Sequence, residues 1–573
     1  MICKCSLRFL FVLCSAALLV AVDVCAQSTL DRTSLERFLA RAERLSPRQK
    51  ALLSPGLQKF LHFAARQANS DSYSSPAADA NATAVSSVQL ASGLLSTGPG
   101  GTVRVSNPGT DFRVDAYTQN TTSSARCGNT IVTGFEDAED ALRISGSLDA
   151  YSVSTNGGIN FTDIGSLNPG ANSSLAGDPV LACSSSSHFY YASLFEAAMN
   201  CPGVNCTIVS TISVSISTNG GASWSNPIIA ANRGGQSFLD KPWLAVDPSN
   251  PARLFLTYTE FSSNSSCGPG IFSTAIELVS SSNGGGSWSA PLILHQACGN
   301  HESLGTGSSV VVSPNGQVNV AYELLPLEQP DPGDVNSIYF TRSLNHGRNF
   351  STPLKVTDVV TEGGVQSFGG TRVLQGGFAI NEFPQLAVDR GNTSSRGTIY
   401  IAWSDGKNRQ KTDLISPSGV YAYSDIQIAR STNLGVSFSF PPPVSPTPST
   451  FTGPGRDQFF PGIAVDNDGE VAVCYYDRRN DPQNMAIDRF CSVSSTQGDS
   501  WLDQRVSSPS WLPLHCADLR APIPPPSAGT GITCTQIGQY DTLTTDFLLQ
   551  NDGFFGAFQI QEDGNPNIVG KKF

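Results

Sequence analysis

The chain has 573 residues, a formal charge of −12, and 39% apolar but only 14% charged residues. With 53 Gly and 36 Pro, this composition points to a turn-rich, all-β body and away from a helical one. The length exceeds one ordinary core unless the fold is modular, a large barrel or a propeller. The acidity excludes nucleic acid as a partner of the main body, because a phosphate-binding surface needs clustered Lys and Arg.

Residues 1–26 read as a secretory signal. Lys4 and Arg8 precede the apolar run "FLFVLCSAALLVAV", and "VCA" before Gln27 supplies a small-residue cleavage site. The run is short for a membrane span and no second one follows, so the expectation is a secreted or periplasmic protein without an integral membrane segment after signal removal. Cys25 lies in no lipobox, which favours release over lipid anchoring.

Residues 27–69 read as a helical hairpin. In "TSLERFLARAERL", Thr33 and Glu36 fit a capping box, and Leu35, Phe38, Leu39, Ala42 and Leu45 recur at helical spacing. "SPGLQKFLHFAARQ" is a second helix with Pro55 in its first turn. The segment holds eight Lys/Arg and three Asp/Glu, a charge of +5 on an otherwise acidic chain. Each helix has one apolar face and needs a partner surface; a docking cap or pro-segment is the preferred reading, a protein-binding adaptor the other. Residues 70–101 form a Ser/Ala-rich linker.

From Thr102 the chain becomes short β-branched and aromatic runs broken by Gly, Asn and Pro. One turn recurs, as in "SVSTNGGINF", "SISTNGGASW", "SSSNGGGSW" and "ARSTNLGVSF". Its first serines are Ser154, Ser217, Ser281, Ser343, Ser431 and Ser494, separated by 63, 64, 62, 88 and 63 residues. A fixed period marks a repeat architecture, here with an insertion of some 25 residues in the fifth unit. Each unit also carries an apolar strand ending in "AVD", a turn, and a strand ending in an aromatic residue. Four antiparallel strands per unit predict a β-propeller. "YDTLTTDFLLQNDGFFGAFQI" and "NIVGKKF" repeat the first three strands, and "TVRVS" at Val103 can supply the fourth. That makes seven blades closed by both chain ends, with six as the alternative.

The pattern Ser-x-Asn-x-Gly-x-x-Trp/Phe has a local logic: Asn bonds the backbone ahead of it, and Gly accepts φ > 0. It resembles the Asp-box (BNR repeat) of the sialidase (neuraminidase) superfamily. Asn156, Asn219, Asn283, Asn345 and Asn433 stand where that family more often has Asp, and Thr496 departs further. The resemblance runs from Thr102 to the end and implies a propeller whose repeated turns are structural, on the face away from the pocket.

The functional face then carries the entries to first strands and the exits from second strands. The entries are Asp178, Asp240, Glu302, Glu382, Asp457 and Asp541; the exits are Glu136, Asp137, Glu260, Glu323, Asp405 and Asp477. The aspartates of "AVD" (Asp247, Asp389, Asp466) fall at opposite turns and read as turn formers. The resemblance implies three arginines clamping a substrate carboxylate, a Tyr–Glu nucleophile pair and an acidic Asp. Arg113 in "DFRVD" lacks the family's following proline; Arg456, Arg478 and Arg479 are on the rim, and Arg372 and Arg409 in the insertion. Tyr258 with Glu260, or Tyr475 and Tyr476 with Asp477, are nucleophile-and-base candidates. Candidate catalytic residues are therefore Arg113, Tyr476, Asp477, Arg478 and Arg479, and candidate ligand contacts are Asp240, Glu260, Glu302, Glu382, Arg456 and Asp457.

Ten cysteines follow the signal, an even set that suggests disulfides in an oxidising compartment. Local pairs are Cys201–Cys206, Cys267–Cys298, Cys474–Cys491 and Cys516–Cys534, leaving Cys127–Cys183. A rim rich in carboxylates and short of arginines suits calcium or a neutral or cationic ligand better than an anionic sugar. The sequence thus predicts a monomeric glycan- or protein-binding propeller; the alternative is a glycoside hydrolase of exo-sialidase type. Partners would be carbohydrate or an extracellular or envelope protein, with Ca²⁺ as the one cofactor entertained.

Overall fold

The computed structural model describes residues 32–45, parts of 49–65, 98–107, 119–137, 146–171, 173–199, 207–235, 237–265, 267–298, 303–326, 335–365, 372–375, 378–412, 420–445, 455–512, 540–562 and 565–573. The expected signal lies outside these residues, as do Arg113, Glu302 and the cysteines at 201, 206, 516 and 534.

Seven antiparallel sheets follow one another along the chain. Blade 1 runs Gln119–Cys127, Thr130–Asp137, Asp149–Ser154 and Thr162–Ser166. The inner strands of blades 2 to 7 are Val180–Cys183, Ser237–Val246, Ser303–Val312, Gln385–Val388, Gln458–Val465 and Leu543–Thr544. All seven inner strands line one central channel, with Ser124, Leu181, Leu244, Val311, Leu386, Ala464 and Leu543 each contributing. The protein is therefore a seven-bladed β-propeller, and the six-blade alternative is excluded. Blade 5 has three regular strands, with Ser439 bridging Arg430 where the fourth would run.

Blade 7 joins the chain ends. Val103–Arg104 pairs with Asn565–Lys572, Val103 opposite Gly570, and completes a sheet with Phe555–Glu562 and Leu543–Thr544. The composite blade leaves the ring without an open gap.

Apolar side chains between blades make the core. Ile131, Phe135 and Phe161 of blade 1 cluster with Val105, Phe555 and Ile568 of blade 7, and each such large side chain contributes about 1.5–3 kcal/mol on burial. The repeated turn is part of this packing. Ser281 Oγ donates to Asn283 Oδ1 at 2.9 Å and accepts from Gly285 N at 2.9 Å, while Asn283 Oδ1 accepts from Ser287 N at 3.0 Å. In the sixth unit the Thr496 hydroxyl accepts from Ser500 N at 2.9 Å, replacing the carboxamide. The turn's aromatic ring packs onto the preceding blade: Trp224 meets Tyr151 edge to face at 5.7 Å, and Phe438 meets Phe340 at 5.0 Å.

The "AVD" aspartates form turns at this same end. Asp247 Oδ1 accepts from Ser249 N, Asp389 Oδ1 from Gly391 N, and Asp466 Oδ1 from Glu470 N. Disulfides Cys127–Cys183, Cys267–Cys298 and Cys474–Cys491 are present; the first joins the inner strands of blades 1 and 2. Among the described residues no helix is long and apolar enough to cross a membrane.

Candidate functional site: an acidic mouth

The channel mouth opposite the repeated turns is built by a distortion common to the inner strands. Each of four breaks register near its start, between Asn120 and Ser123, Asp240 and Trp243, Thr306 and Ser309, and Phe459 and Gly462. Such bulges re-aim side chains. Thr121, Asp178, Lys241 and Phe460 occupy the strained position with φ between 50 and 56°. The last three each precede a proline (Pro179, Pro242, Pro461).

Carboxylates from several strands gather at this end. Around blades 1 to 3 and 7, Glu136, Asp149, Asp178, Glu196 and Asp240 are all fully buried, with Tyr540 and Lys241 among them. Asp240 Oδ2 accepts from Lys241 Nζ at 2.9 Å and from Ser54 N at 2.7 Å. The Lys241 ammonium also lies 5.4 Å from the Phe261 ring centre and 5.7 Å from that of Phe383. Tyr540 donates to Pro179 O at 3.2 Å and meets Trp243 edge to face.

Among the described residues neither carboxylate oxygen of Asp178 takes a hydrogen bond, and the same holds for Glu196. Burial, then the charges of Asp240 and Glu136, hold the Asp178 carboxyl well above the ordinary carboxylate range, against Lys241 and Ser54. Burial pushes Glu196 up to about 8 despite Ser210 and Arg41. It pushes Asp149 to about 7, although Ser193 Oγ donates to it at 2.6 Å.

The rim continues around the ring. In blade 3, Tyr258 donates to Glu277 Oε2 at 2.6 Å, and Arg233 Nε lies 3.3 Å from Glu277 and 3.4 Å from Glu260. Tyr258 thus faces Glu277 across the strand pair and does not pair with Glu260, which accepts from Ser237 Oγ at 2.6 Å. Burial raises Glu277 to about 7. In blades 4 and 5, Asn336 Nδ2 reaches Glu323 at 2.5 Å and Glu382 at 3.4 Å. Glu362, from the start of the insertion, is raised well above its usual range by burial and by Glu382, Asp405 and Asp457. The insertion adds a small sheet, Gly364–Val365, Arg372–Leu374 and Phe378–Ala379.

The "YYDRR" residues do not converge on one point. Arg478 is fully buried and reaches Asp457 Oδ2 at 3.4 Å, Gln375 O at 2.6 Å and Asn484 O at 2.9 Å. Arg479 binds Asp477 at 2.5 Å and Asp503 at 2.6 Å, and stacks 4.2 Å from the Phe490 ring centre. Tyr476 turns the other way and donates to Asp541, beside Arg489. Burial raises Asp477 to about 6. Arg456 donates to Gly455 O, and its charge adds to the backbone donors of Ala486, Gln483 and Met485 that lower Asp481. The side chains of Arg372 and Arg409 lie outside the described ones. No group of three or more His, Cys, Asp or Glu among the described residues could hold a metal ion.

Asp149, Glu196, Glu277, Glu362 and Arg489 belong to the same rim but not to the entries and exits that sequence reasoning singled out. For Glu196 and Glu277 the signal is a lone charge in a nearly uncharged strand, "SLFEAAM" and "TAIELVSS"; Glu362 lies between strands and Arg489 follows Asp488, and neither has such a signal.

Fold and mouth together define a seven-bladed propeller with a carboxylate-rich face. No family model matches this chain, and no curated protein does. Solved structures are similar to it. They include the α-L-arabinofuranosidase Arb93A from Fusarium graminearum, at 13% identity and TM-score 0.41, covering 67% of this chain and 93% of that one. The Hadza microbial sialidase Hz136 is 13% identical, TM-score 0.40, with 77% and 73% covered. A PL25 ulvan lyase is 10% identical, TM-score 0.44, with 79% and 94% covered.

Proposed function

We propose that the protein is an exported propeller that binds neutral or amino-bearing carbohydrate at its acidic mouth. The observation that carries this reading is the charge balance there. Arg478, Arg479 and Arg489 each lie against a carboxylate (Asp457, Asp477 and Asp541), while Asp178, Glu196 and Glu362 are buried with no such partner within bonding distance among the described residues. An anionic sugar needs a bidentate cationic clamp, whereas carboxyl groups accept hydrogen bonds from hydroxyl and ammonium groups. Three disulfides support an oxidising compartment. A glycan array spanning neutral, amino and sialylated sugars, followed by calorimetry on hits, tests the reading. Binding confined to sialylated sugars, or absent both from the intact protein and from protein whose residues 27–69 have been removed by proteolysis, would refute it.

A glycoside hydrolase is the second reading. It is favoured by the Tyr258–Glu277 bond beside Arg233 and Glu260, where a carboxyl near 7 could exchange a proton. Turnover of fluorogenic glycosides that disappears in Glu277→Gln and Tyr258→Phe would establish it; a panel without turnover would remove it.

A further inference from the structure

The mouth already has an occupant. The N-terminal helix Arg32–Glu43, with Leu53, Ser54 and Leu57, lies on blades 2 and 3 at the carboxylate face. Phe38, Ala42, Leu53 and Leu57 are buried in one cluster with Phe238, Leu239, Phe261 and Tyr540. Phe38 meets Phe238 edge to face at 5.5 Å, and the Arg41 guanidinium stacks 4.8 Å from the centre of the Phe38 ring. Arg41 also donates to Ile208 O at 2.6 Å and to Gly235 O, and its charge acts on Glu196. Ser54, fully buried, points its backbone N–H at Asp240 Oδ2, 2.7 Å away.

Charge favours this placement: residues 27–69 carry +5 in sequence, and within the helix Arg41 acts on the buried carboxylate of Glu196. The contact is also specific, because a main-chain donor is delivered to one mouth carboxylate by an apolar face on either side of it. An Asp240 oxygen held by an amide N–H is not available to a ligand hydroxyl or amine.

We propose that the helix Arg32–Glu43 together with Leu53, Ser54 and Leu57 is an intramolecular plug, a competitive occupant of the mouth that must leave before Asp240 and Asp178 can meet a ligand. The plug supplies the donor that the ligand would supply, so it defines the ligand as a donor group flanked by an apolar face. The Ser/Ala-rich stretch of residues 70–97 joins the plug to the ring in sequence, and cutting there converts a tethered occupant into a dissociable one.

The test uses the full chain with a site-specific protease sequence replacing residues 80–86. Carboxyl labelling with a carbodiimide and glycine ethyl ester is followed at Asp240 and Asp178 by mass spectrometry, before cleavage and after the released segment is removed on a sizing column. Labelling should rise about tenfold or more, the factor expected when a charge-assisted hydrogen bond and its apolar cover are lost. Excess synthetic peptide of residues 30–65 should restore protection. A second version leaves the tether intact and carries Phe38→Asp, which should raise labelling at both positions while circular dichroism stays that of an all-β protein. Unchanged labelling after the segment has left, or a segment that departs only when the ring unfolds, overturns the proposal. No sugar enters the experiment, so its failure leaves the ligand reading standing, and an empty glycan array leaves the plug standing.

Discussion

Tyr421 of blade 5 donates its hydroxyl to Asp457 Oδ2 of blade 6 at 2.7 Å. The same carboxylate takes Asn484 Nδ2 at 2.6 Å and Ser424 N at 3.2 Å, and faces Arg478. One buried carboxylate therefore binds two blades together. Tyr421→Phe removes the donor to Asp457 and the acceptor of Gln375 N, and should cost about 1–2 kcal/mol. Asp457→Ala leaves the Arg478 charge buried without it and should cost roughly 3–5 kcal/mol. Urea unfolding of both variants checks the order, and a smaller loss in Asp457→Ala would contradict it.

Deleting residues 565–573 should abolish the monomeric fold. It removes the third strand of blade 7 and the partner of Val103–Arg104 together, exposing two strand edges. Sizing chromatography should show aggregate; a monomer with unchanged Tm would show that the closure is dispensable.

Stability should fall on the alkaline side. Asp149, Glu196 and Glu277 have folded values near 7, 8 and 7, above those of an unfolded chain. A carboxyl raised on folding binds its proton more tightly in the native state. Its contribution is complete below about pH 4 and is lost as pH rises through 7 to 8. Asp481 and Asp546 are lowered instead, by backbone donors, and their contribution is lost as pH falls through the acid range. The optimum should lie between, with Tm at pH 8 roughly 5 °C or more below that at pH 5. Glu196→Gln should flatten the alkaline limb; an equally steep limb in that variant would assign the effect elsewhere.

The repeated turns should matter for stability and not for the mouth. Asn283→Ala removes the acceptor of Ser287 N and should cost about 1 kcal/mol. Gly221→Ala should cost more, because φ is +87° there and a Cβ would sit 2.8 Å from Val132 of blade 1. Carboxyl labelling at Asp240 should be the same in both as in the parent chain; a change at Asp240 would show that turn and mouth are coupled.

The fold was legible because its markers are local. Ser217, Asn219 and Gly221 satisfy one another within five residues, so the turn survives in the sequence as a readable string. The closure by Val103 was legible because blade 7 lacked a fourth strand in its own stretch of sequence. The mouth was only partly legible. Asp240 and Asp457 could be placed from strand order, but partners reach them from distant sequence, Ser54 of the N-terminal segment for Asp240 and Tyr421 of the neighbouring blade for Asp457. Glu277 was missed because it lies in a third strand, and only the cross-strand register puts it opposite Tyr258. Arg479 shows the converse: neighbouring Arg478 and Arg479 look like one cluster in sequence, yet they take different carboxylates, Asp457 and Asp477.

The turn aromatics Trp224 and Phe438 pack backwards along the chain, onto blade 1 and blade 4. The turn glycines do the same: Gly285 lies against Ile216, Gly347 against Phe255, and Gly435 against Phe340. Assembly consequently has a direction. As the chain emerges from its N-terminal end, each new blade seals the pocket of the one before it, so a growing ring exposes one fresh greasy surface at a time. Phe161 of blade 1 is the exception, because its seat is Phe555 of blade 7. In that order of assembly, the Phe161 ring is covered only when the last blade is in place.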